Sequence, residues 1–441
     1  MSHVKHGVRQ ASLSLQKVFK HHRDTFHGPL STSSPFCTCR SFPRLSMLRP
    51  SALASLSGSQ SPFSSTPQFR SIFTSNKREI RRNVAVEEEE IRTEDDDEDG
   101  PKGPLKSHPY RNICPWKSKT DLANFLLENQ IYNDCGLFVV NKPFGVGVRN
   151  PTLKHLQRSN GSVHQLHLRG IQTSEYTLED IVPTLRKLLG KPTLTLVKST
   201  EKLTSGVAIF ADDEETGTRC SKALKSSKSF FDTVYKYHVI TVLPPILQFD
   251  SGKVERIGIS IKSGAGCDVP QPVLFREYSK NSVKRKDVIP VHAQVNPLKI
   301  GFGGGHLVEI NTSSVVKNFL RIYMADKLAP ILGDQLYSCR VQTLKGIPTK
   351  IDPTHLAPGA SQQRLPKDML AHLKLNSRED TIIIPTHVHL RSYSLHKFLT
   401  MGKVLEFEAP YPPYFRWTCE QLGIQLGVDE EQSIYKSTND L

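Results

Sequence analysis

Residues 87–99 read EEEEIRTEDDDED, and no other stretch constrains the fold as strongly. Like charges at this density repel one another and cannot bury an apolar face, so the composition predicts a disordered linker. Pro101, Gly103 and Pro104 prolong it. The run divides the chain into a leader and a body. Residues 1–78 hold about 11 Lys and Arg against one acid, Asp24, or roughly +10. Residues 79–99 carry roughly −8, and the net charge of the 441 residues is +15. The body from residue 100 onward therefore carries about +13.

The leader is rich in Ser, Arg and Pro. Arg9, Lys17, Lys20 and Arg23 lie among Val, Leu and Phe, and Arg40, Arg44, Arg49 and Arg70 follow. A basic, acid-poor segment is what a mitochondrial transit peptide needs to follow the membrane potential. It has no h-region with a small-residue cleavage site, which argues against a secretory signal. Met47 opens a second presequence-like stretch, MLRPSALASLSGSQSPFSSTPQFRSIF. The expected location is the mitochondrial matrix; the alternative is a Ser-rich tail without an address. The expected organisation is a transit peptide over 1–78, an acidic linker over 79–109, one folded domain over 110–425 and a disordered tail over 426–441.

Apolar runs in the body are strand-sized, such as Leu137–Val140 and Ile382–Pro385. They fall far short of the roughly 20 residues a membrane span needs. The cysteines (Cys37, Cys39, Cys114, Cys135, Cys220, Cys267, Cys339 and Cys419) contain no C-x-x-C pair. That spacing argues against a zinc site and, in a chain this long, against a disulfide scaffold; reduced thiols are expected. A basic body suits a polyanion, because neutralising phosphates releases condensed counterions. Charge alone leaves open a basic surface with no nucleic-acid partner.

Helical spacing appears over residues 119–130, with Thr120 as a candidate N-cap, and over 178–189, with Pro183 near its first turns. Residues 212–228 also suit a helix. Strands are expected at 136–142, 194–197, 207–211, 234–242 and 306–310, with the segment around Leu320–Tyr323 following and the last strands over 381–395. Many strands with few strand–helix alternations predict an α+β fold around a mainly antiparallel central sheet with flanking helices and a cleft. Residues 111–135 leave room for a small additional module. Residues 243–305, with KSGAGCDVPQP and SVKRKD, are read as either a mobile basic hairpin near a polyanion or a plain solvated loop. Gly303–Gly305 lack the strand–helix context of a phosphate loop, so a flexible hairpin is expected there.

Four segments then occur in a telling order. Gly136–Val148 reads GLFVVNKPFGVGV; Lys198–Gly206 reads KSTEKLTSG and leads into VAIFA; Val234–Val242 reads VYKYHVITV; Val308–Tyr323 reads VEINTSSVVKNFLRIY and is followed by PILGDQLYS. His387-Val388-His389-Leu390 and the turn APYPP at 409–413 come later. Together these resemble the RluA-type RNA pseudouridine synthases over roughly residues 136–420, and are most similar to the mitochondrial RNA pseudouridylate synthase domain proteins. The family patterns are N-K-P-x-G, H-R-L-D-x-x-T-S-G, K-x-Y, T-G-x-x-H-Q-L-R-x-H with P-I-x-G-D-x-x-Y, L-H-A, and a closing A-P-x-P-P. Here His, Arg and Leu of the second pattern are replaced, and Glu201 occupies the aspartate position. Ser314, Val315, Asn318, Phe319 and Tyr323 depart from the fourth.

The resemblance implies a pseudouridine synthase fold and an RNA partner, with neither metal nor organic cofactor. It implies Glu201 as the reacting acid, Tyr237 as the tyrosine facing the everted base, and Arg321 as the arginine pairing with that acid. Lys142, Lys198, Lys202 and Lys317, beside the motifs, are candidates for RNA contact. Two functions stand: a working isomerase of ribosomal or messenger RNA, or a non-catalytic RNA-binding or assembly factor that keeps the fold and serves mitochondrial ribosome or messenger RNA maintenance, with RNA-granule or ribosome-assembly proteins as partners; a third, weaker option is a mitochondrial structural partner that binds no RNA. The extra methylene of Glu201 displaces its carboxylate by about 1 Å, an error that can cost about 10²-fold in rate where geometry is the main device. His387 and His389 share a strand face, and a structural role is favoured over metal ligation because further ligands are missing.

Overall fold

The structure is a computed structural model that describes residues 108–149, 170–230, 232–246, 252–264, 267–356, 358–376, 379–399 and 403–427. The chain divides into residues 1–98 and 99–441, and every described residue lies in the second. The expected transit peptide, the second start at Met47, the acidic linker up to residue 107 and the tail from residue 428 lie outside the described residues.

Helix α1 spans Lys119–Glu128. Its N-cap is Ser118 rather than the expected Thr120, because Asp121 completes a capping box: the Asp121 N–H donates to Ser118 Oγ at 3.0 Å and the Ser118 N–H donates to Asp121 Oδ2 at 3.0 Å. Strands β1 (Gln130–Asp134) and β2 (Leu137–Lys142) follow as an antiparallel pair. Residues 111–135 thus feed the main sheet. Helix α2 (Leu178–Leu189) keeps the bounds its periodicity predicts, with Thr177 and Asp180 forming its capping box and Gly190 in the left-handed conformation ending it. Its buried residues Leu178, Ile181, Val182 and Leu185 recur at helical spacing.

The remaining elements are β3 (Thr195–Lys198), β4 (Ser205–Ala211), α3 (Glu214–Ser229), β5 (Tyr235–Thr241), β6 (Glu255–Gly264), β7 (Cys267–Phe275), α4 (Lys280–Lys284), β8 (Ile289–Ile300), β9 (His306–Thr312), α5 (Phe319–Asp326), β10 (Val341–Leu344), β11 (Ile347–Lys350), α6 (Lys367–His372), β12 (Val388–His396), β13 (Val404–Glu408) and α7 (Pro413–Gln421). Among the described residues one sheet holds eleven strands, ordered β1-β2-β4-β12-β5-β9-β8-β6-β7, with β13 on β12 and β3 on β4. All its pairings are antiparallel except that of β12 with β4. The α+β class with a mainly antiparallel sheet is therefore the fold that forms.

Three local expectations change. The 243–305 segment contributes β6, β7 and β8, which widen the sheet beyond β9. Leu320–Tyr323 lies in helix α5, where Phe319 and Tyr323 stack one turn apart with ring centroids 5.1 Å apart. The apolar run before Pro385 is a 3₁₀ turn over Glu379–Ile383, and the strand starts only at Val388. Pro385 has no N–H to give a ladder, so the run ends before the sheet begins.

Strand β4 is buried at every residue, which explains its unbroken apolar sequence. Phe138, Val140, Ala208 and Phe210 pack with Leu122, Leu126, Leu178 and Leu185 of α1 and α2. Val139, Val207, Ile209, Tyr237, Leu320 and Leu390 belong to the larger cluster, which reaches α5. A fully buried Leu or Phe contributes roughly 1.5–3 kcal/mol, so both faces hold β4 in place. No described helix is long and apolar enough to cross a membrane.

Candidate active site

The N-K-P-x-G segment holds the loop that carries Glu201. Lys142 is fully buried, and its Nζ donates to the carbonyls of Pro143 at 3.1 Å, Val146 at 2.9 Å and Glu201 at 3.1 Å. The Gly145 N–H donates to the Lys202 carbonyl at 2.8 Å, and Thr200 Oγ1 donates to the Thr204 carbonyl at 2.8 Å. Asn141 Nδ2 donates to the Pro410 carbonyl at 2.7 Å, tying the same strand end to the APYPP turn. Lys142, a candidate for RNA contact by sequence, therefore clamps the loop from inside the protein. Burial pulls its ammonium down from 10.5 to about 7.

Past that loop, Gly206 has φ 117, and a Cβ there would collide with the Leu390 carbonyl oxygen. This close approach explains the glycine of Thr-Ser-Gly: β12 lies directly against it, with Leu390 in register with Gly206. Leu390 is in turn in register with Tyr237, and Tyr237 with Ile310. The second and third motifs thus meet across one row of the sheet.

Above this row lies a cleft of about 370 Å³. Glu201, Tyr237 and Arg321 all line it, with Lys198, Lys225, Lys228, Tyr235, Ser314 and Tyr393 among the other walls. Among the described residues, Glu201 is the one acid in this lining. Its side chain is accessible, yet the protein packed around the carboxyl pushes its pKa up, while Arg321, Lys198 and Lys142 pull it down. Tyr237 is buried, and desolvation, with Tyr235 and Glu201 nearby, raises its phenol well above 10.0, so it stays protonated.

Arg321 does not make the expected ion pair with Glu201. Its Nε donates to Asp334 Oδ1 at 3.0 Å and a second guanidinium nitrogen bonds the same oxygen. That oxygen also accepts the N–H groups of Leu336 at 3.0 Å and Tyr337 at 3.1 Å. Gly333, at φ 78 and with no room for a Cβ beside the Pro385 carbonyl, delivers Asp334 to this position. The P-I-x-G-D segment thus anchors the arginine, which faces the cleft as a fixed charge.

Lys198 lies 5.7 Å from the Tyr235 ring centroid, and Tyr235 lies 4.9 Å from Tyr393 between ring centroids. Lys202 is half-buried, and desolvation lowers its pKa. Lys317 and Asn318 adopt left-handed backbone at φ 55 and 59 on the approach to α5. Asn318 lines the cleft and Lys317 does not. Lys225 and Lys228, three apart on α3, were absent from the sequence-based set; their spacing on the helix after Thr-Ser-Gly was the available signal. His389 bonds Ser205 Oγ at 2.9 Å through Nδ1 and the Ala409 carbonyl at 3.1 Å through Nε2, while His387 Nε2 bonds Thr418 Oγ1 at 2.8 Å. Burial lowers both to about 3, and both brace the sheet against α7.

No family profile matches the chain. The human mitochondrial mRNA pseudouridine synthase RPUSD3 is 24% identical over 330 residues, covering 74% of this chain and 84% of its own length. The mitochondrial pseudouridylate synthase RPUSD4 of Danio rerio is 25% identical over 360 residues, covering 78% and 88%. The solved structure of human RNA pseudouridylate synthase domain containing 4 is 23% identical with a TM-score of 0.48, covering 70% of this chain and 98% of that one. Motif order and these long alignments agree in what the chain is similar to, the mitochondrial members of the RluA-type RNA pseudouridine synthases.

Proposed function

We propose that the protein isomerises uridine to pseudouridine in ribosomal or messenger RNA of the mitochondrial matrix, with Glu201 as the reacting carboxylate. The observation that carries this is the cleft itself: one acid among lysines, an arginine and tyrosines, in a volume of about 370 Å³. Cavities of roughly 300–1,000 Å³ accommodate small ligands, and an everted nucleotide is of that class.

The reaction breaks the C1′–N1 bond, turns the uracil and forms a C1′–C5 bond; C5 loses a proton and N1 gains one. Every atom is kept and no electrons are exchanged, so the chemistry requires no cofactor. Glu201 acts on the sugar or the ring while ionised, and Arg321 favours that ionised form. Tyr237 closes the apolar side against which the base turns. Lys198, Lys225 and Lys228 meet the phosphates, and the salt dependence of RNA binding follows from them.

A second function, an RNA-binding or assembly factor without turnover, is favoured by one observation: Arg321 is committed to Asp334 and makes no ion pair within 4 Å of Glu201. The two are separated by mapping pseudouridine in mitochondrial RNA after depletion, with rescue by wild type or Glu201→Ala. Loss of specific pseudouridines that only wild type restores supports the isomerase. Full restoration by Glu201→Ala contradicts it.

A further inference from the structure

Helix α3 runs along the cleft and ends on an aromatic ring in solvent. Lys225 and Lys228 line the cleft from its last turns. Phe230 follows as the C-cap and is 67% exposed. It belongs to none of the apolar clusters among the described residues, so core packing does not account for it.

The chain on both sides of this ring borders the cleft. Lys228 precedes Phe230 by two residues, about 3 Å along a helix axis, and Val234 and Tyr235 line the cleft again after it. Strand β5 begins at Tyr235, β12 ends at His396, and Tyr235 is in register with Tyr393 of that antiparallel pair. The residues before β5 and those after β12 therefore emerge at one end of the sheet, beside the cleft. There Lys397 turns left-handed at φ 58, and its Nζ lies over the Phe230 ring, 4.4 Å from the centroid. Arg219 of α3 lies 4.5 Å from the Phe398 ring centroid and holds the same turn against the helix.

Charge on this rim has one sign. Residues 216–230 contain no acid and carry Arg219, Lys222, Lys225 and Lys228 at intervals of three, so neighbouring cations share a flank; Asp232 is the first acid to follow. The cleft itself is aromatic toward the same end, with Tyr237 and Tyr235 ring centroids 6.3 Å apart and those of Tyr235 and Tyr393 4.9 Å apart. An open ring among lysines suits a nucleotide, whose base stacks while its phosphate meets the charge. We infer that Phe230 is a stacking platform for an unpaired nucleotide flanking the target uridine. Lys397 covers one face of the ring, the base takes the other, and Lys228 meets the phosphate. The inference rests on the RNA-modifying function above and deepens it: the substrate is RNA that is single-stranded beside the uridine. Stacking accepts any base, so the platform selects unpaired structure rather than sequence.

The test uses the full-length protein and a short single-stranded RNA with one uridine, together with versions in which each flanking nucleotide in turn is abasic. Phe230→Leu should keep the thermal midpoint and raise the Kd of the intact RNA about fivefold or more, while Phe230→Tyr stays near wild type. One abasic position should weaken wild type by a similar factor and leave Phe230→Leu unchanged, because both changes remove the same contact. Phe230→Trp adds a readout independent of affinity: the intact RNA should quench its added fluorescence, and that abasic RNA should not. Equal Kd values for wild type and Phe230→Leu overturn the platform. So do equal losses in Phe230→Leu and Phe230→Tyr, or losses that multiply with the abasic change at every position. Absence of salt-dependent RNA binding by wild type is a different failure, which removes the RNA function and the platform with it.

Discussion

Arg321 and Asp334 form a buried ion pair whose acceptor oxygen also takes the Leu336 and Tyr337 N–H groups. The arginine that the motif assigns to the reacting acid is thus held by a second acid. It influences Glu201 through its field, from a position fixed before any RNA arrives. Preorganised charge of this kind stabilises a reacting group without reorganisation during the step.

Removing Asp334 tests this arrangement. Asp334→Ala leaves the Arg321 charge buried without its partner, a change that costs about 3–5 kcal/mol. Urea denaturation should show the midpoint falling accordingly, and Asp334→Asn, which keeps an acceptor for the two N–H groups, should lose less. A midpoint unchanged by Asp334→Ala contradicts the anchoring role.

Lys142 gives a pH signature. Its folded pKa of about 7 lies below the ordinary 10.5, so between those values the unfolded chain binds the additional proton. Stability must therefore rise with pH across that window, because folding displaces a proton that the unfolded chain holds less tightly as pH rises. Lys142→Met should flatten the part of the slope that this residue supplies, read as the difference between wild-type and variant denaturation midpoints from pH 7 to 10. Parallel slopes would show that Lys142 does not titrate in the fold.

Much of this fold is written locally. Apolar, β-branched and aromatic runs over β2, β4 and β5 place those strands without any knowledge of the tertiary structure, and α2 has the bounds its spacing predicts. The misassigned 381–385 run is apolar because Ile383 and Ile384 are buried, and burial alone does not separate a strand from a 3₁₀ turn. That Glu201, Tyr237 and Arg321 line one cleft was legible because each sits in a motif. Which acid Arg321 binds was not, since that depends on how Gly333 turns Asp334 under α5. Lys142 misled for a related reason: lysines are rarely buried, and only the loop's three carbonyls make its interior position tenable.

Lys225 and Lys228 should set RNA affinity rather than turnover. Charge reversal at either, Lys225→Glu or Lys228→Glu, is expected to raise the RNA Kd and to leave kcat within about twofold. Each lost phosphate contact should lower the slope of log K against log salt by roughly 0.7–0.9. An unchanged slope for both variants, measured by anisotropy, removes these lysines from the RNA path.

The Glu201 carboxyl, raised by desolvation against the pull of Arg321, Lys198 and Lys142, predicts the acid limb of kcat/KM. If the ionised form reacts, activity grows with pH through a pKa above the usual 4.5. Lys198→Met removes one of the charges that lower it and should move the limb further up. A limb at or below the ordinary carboxylate value contradicts this picture of the cleft.

The most direct test is pseudouridine formation by purified wild type and Glu201→Gln on mitochondrial RNA, quantified by mass spectrometry together with RNA affinity. Product from wild type, at least 10²-fold less from Glu201→Gln, and equal RNA affinity for the two is the predicted result. Equal product from both proteins would contradict the role of Glu201, and RNA binding by wild type without any product would contradict the isomerase.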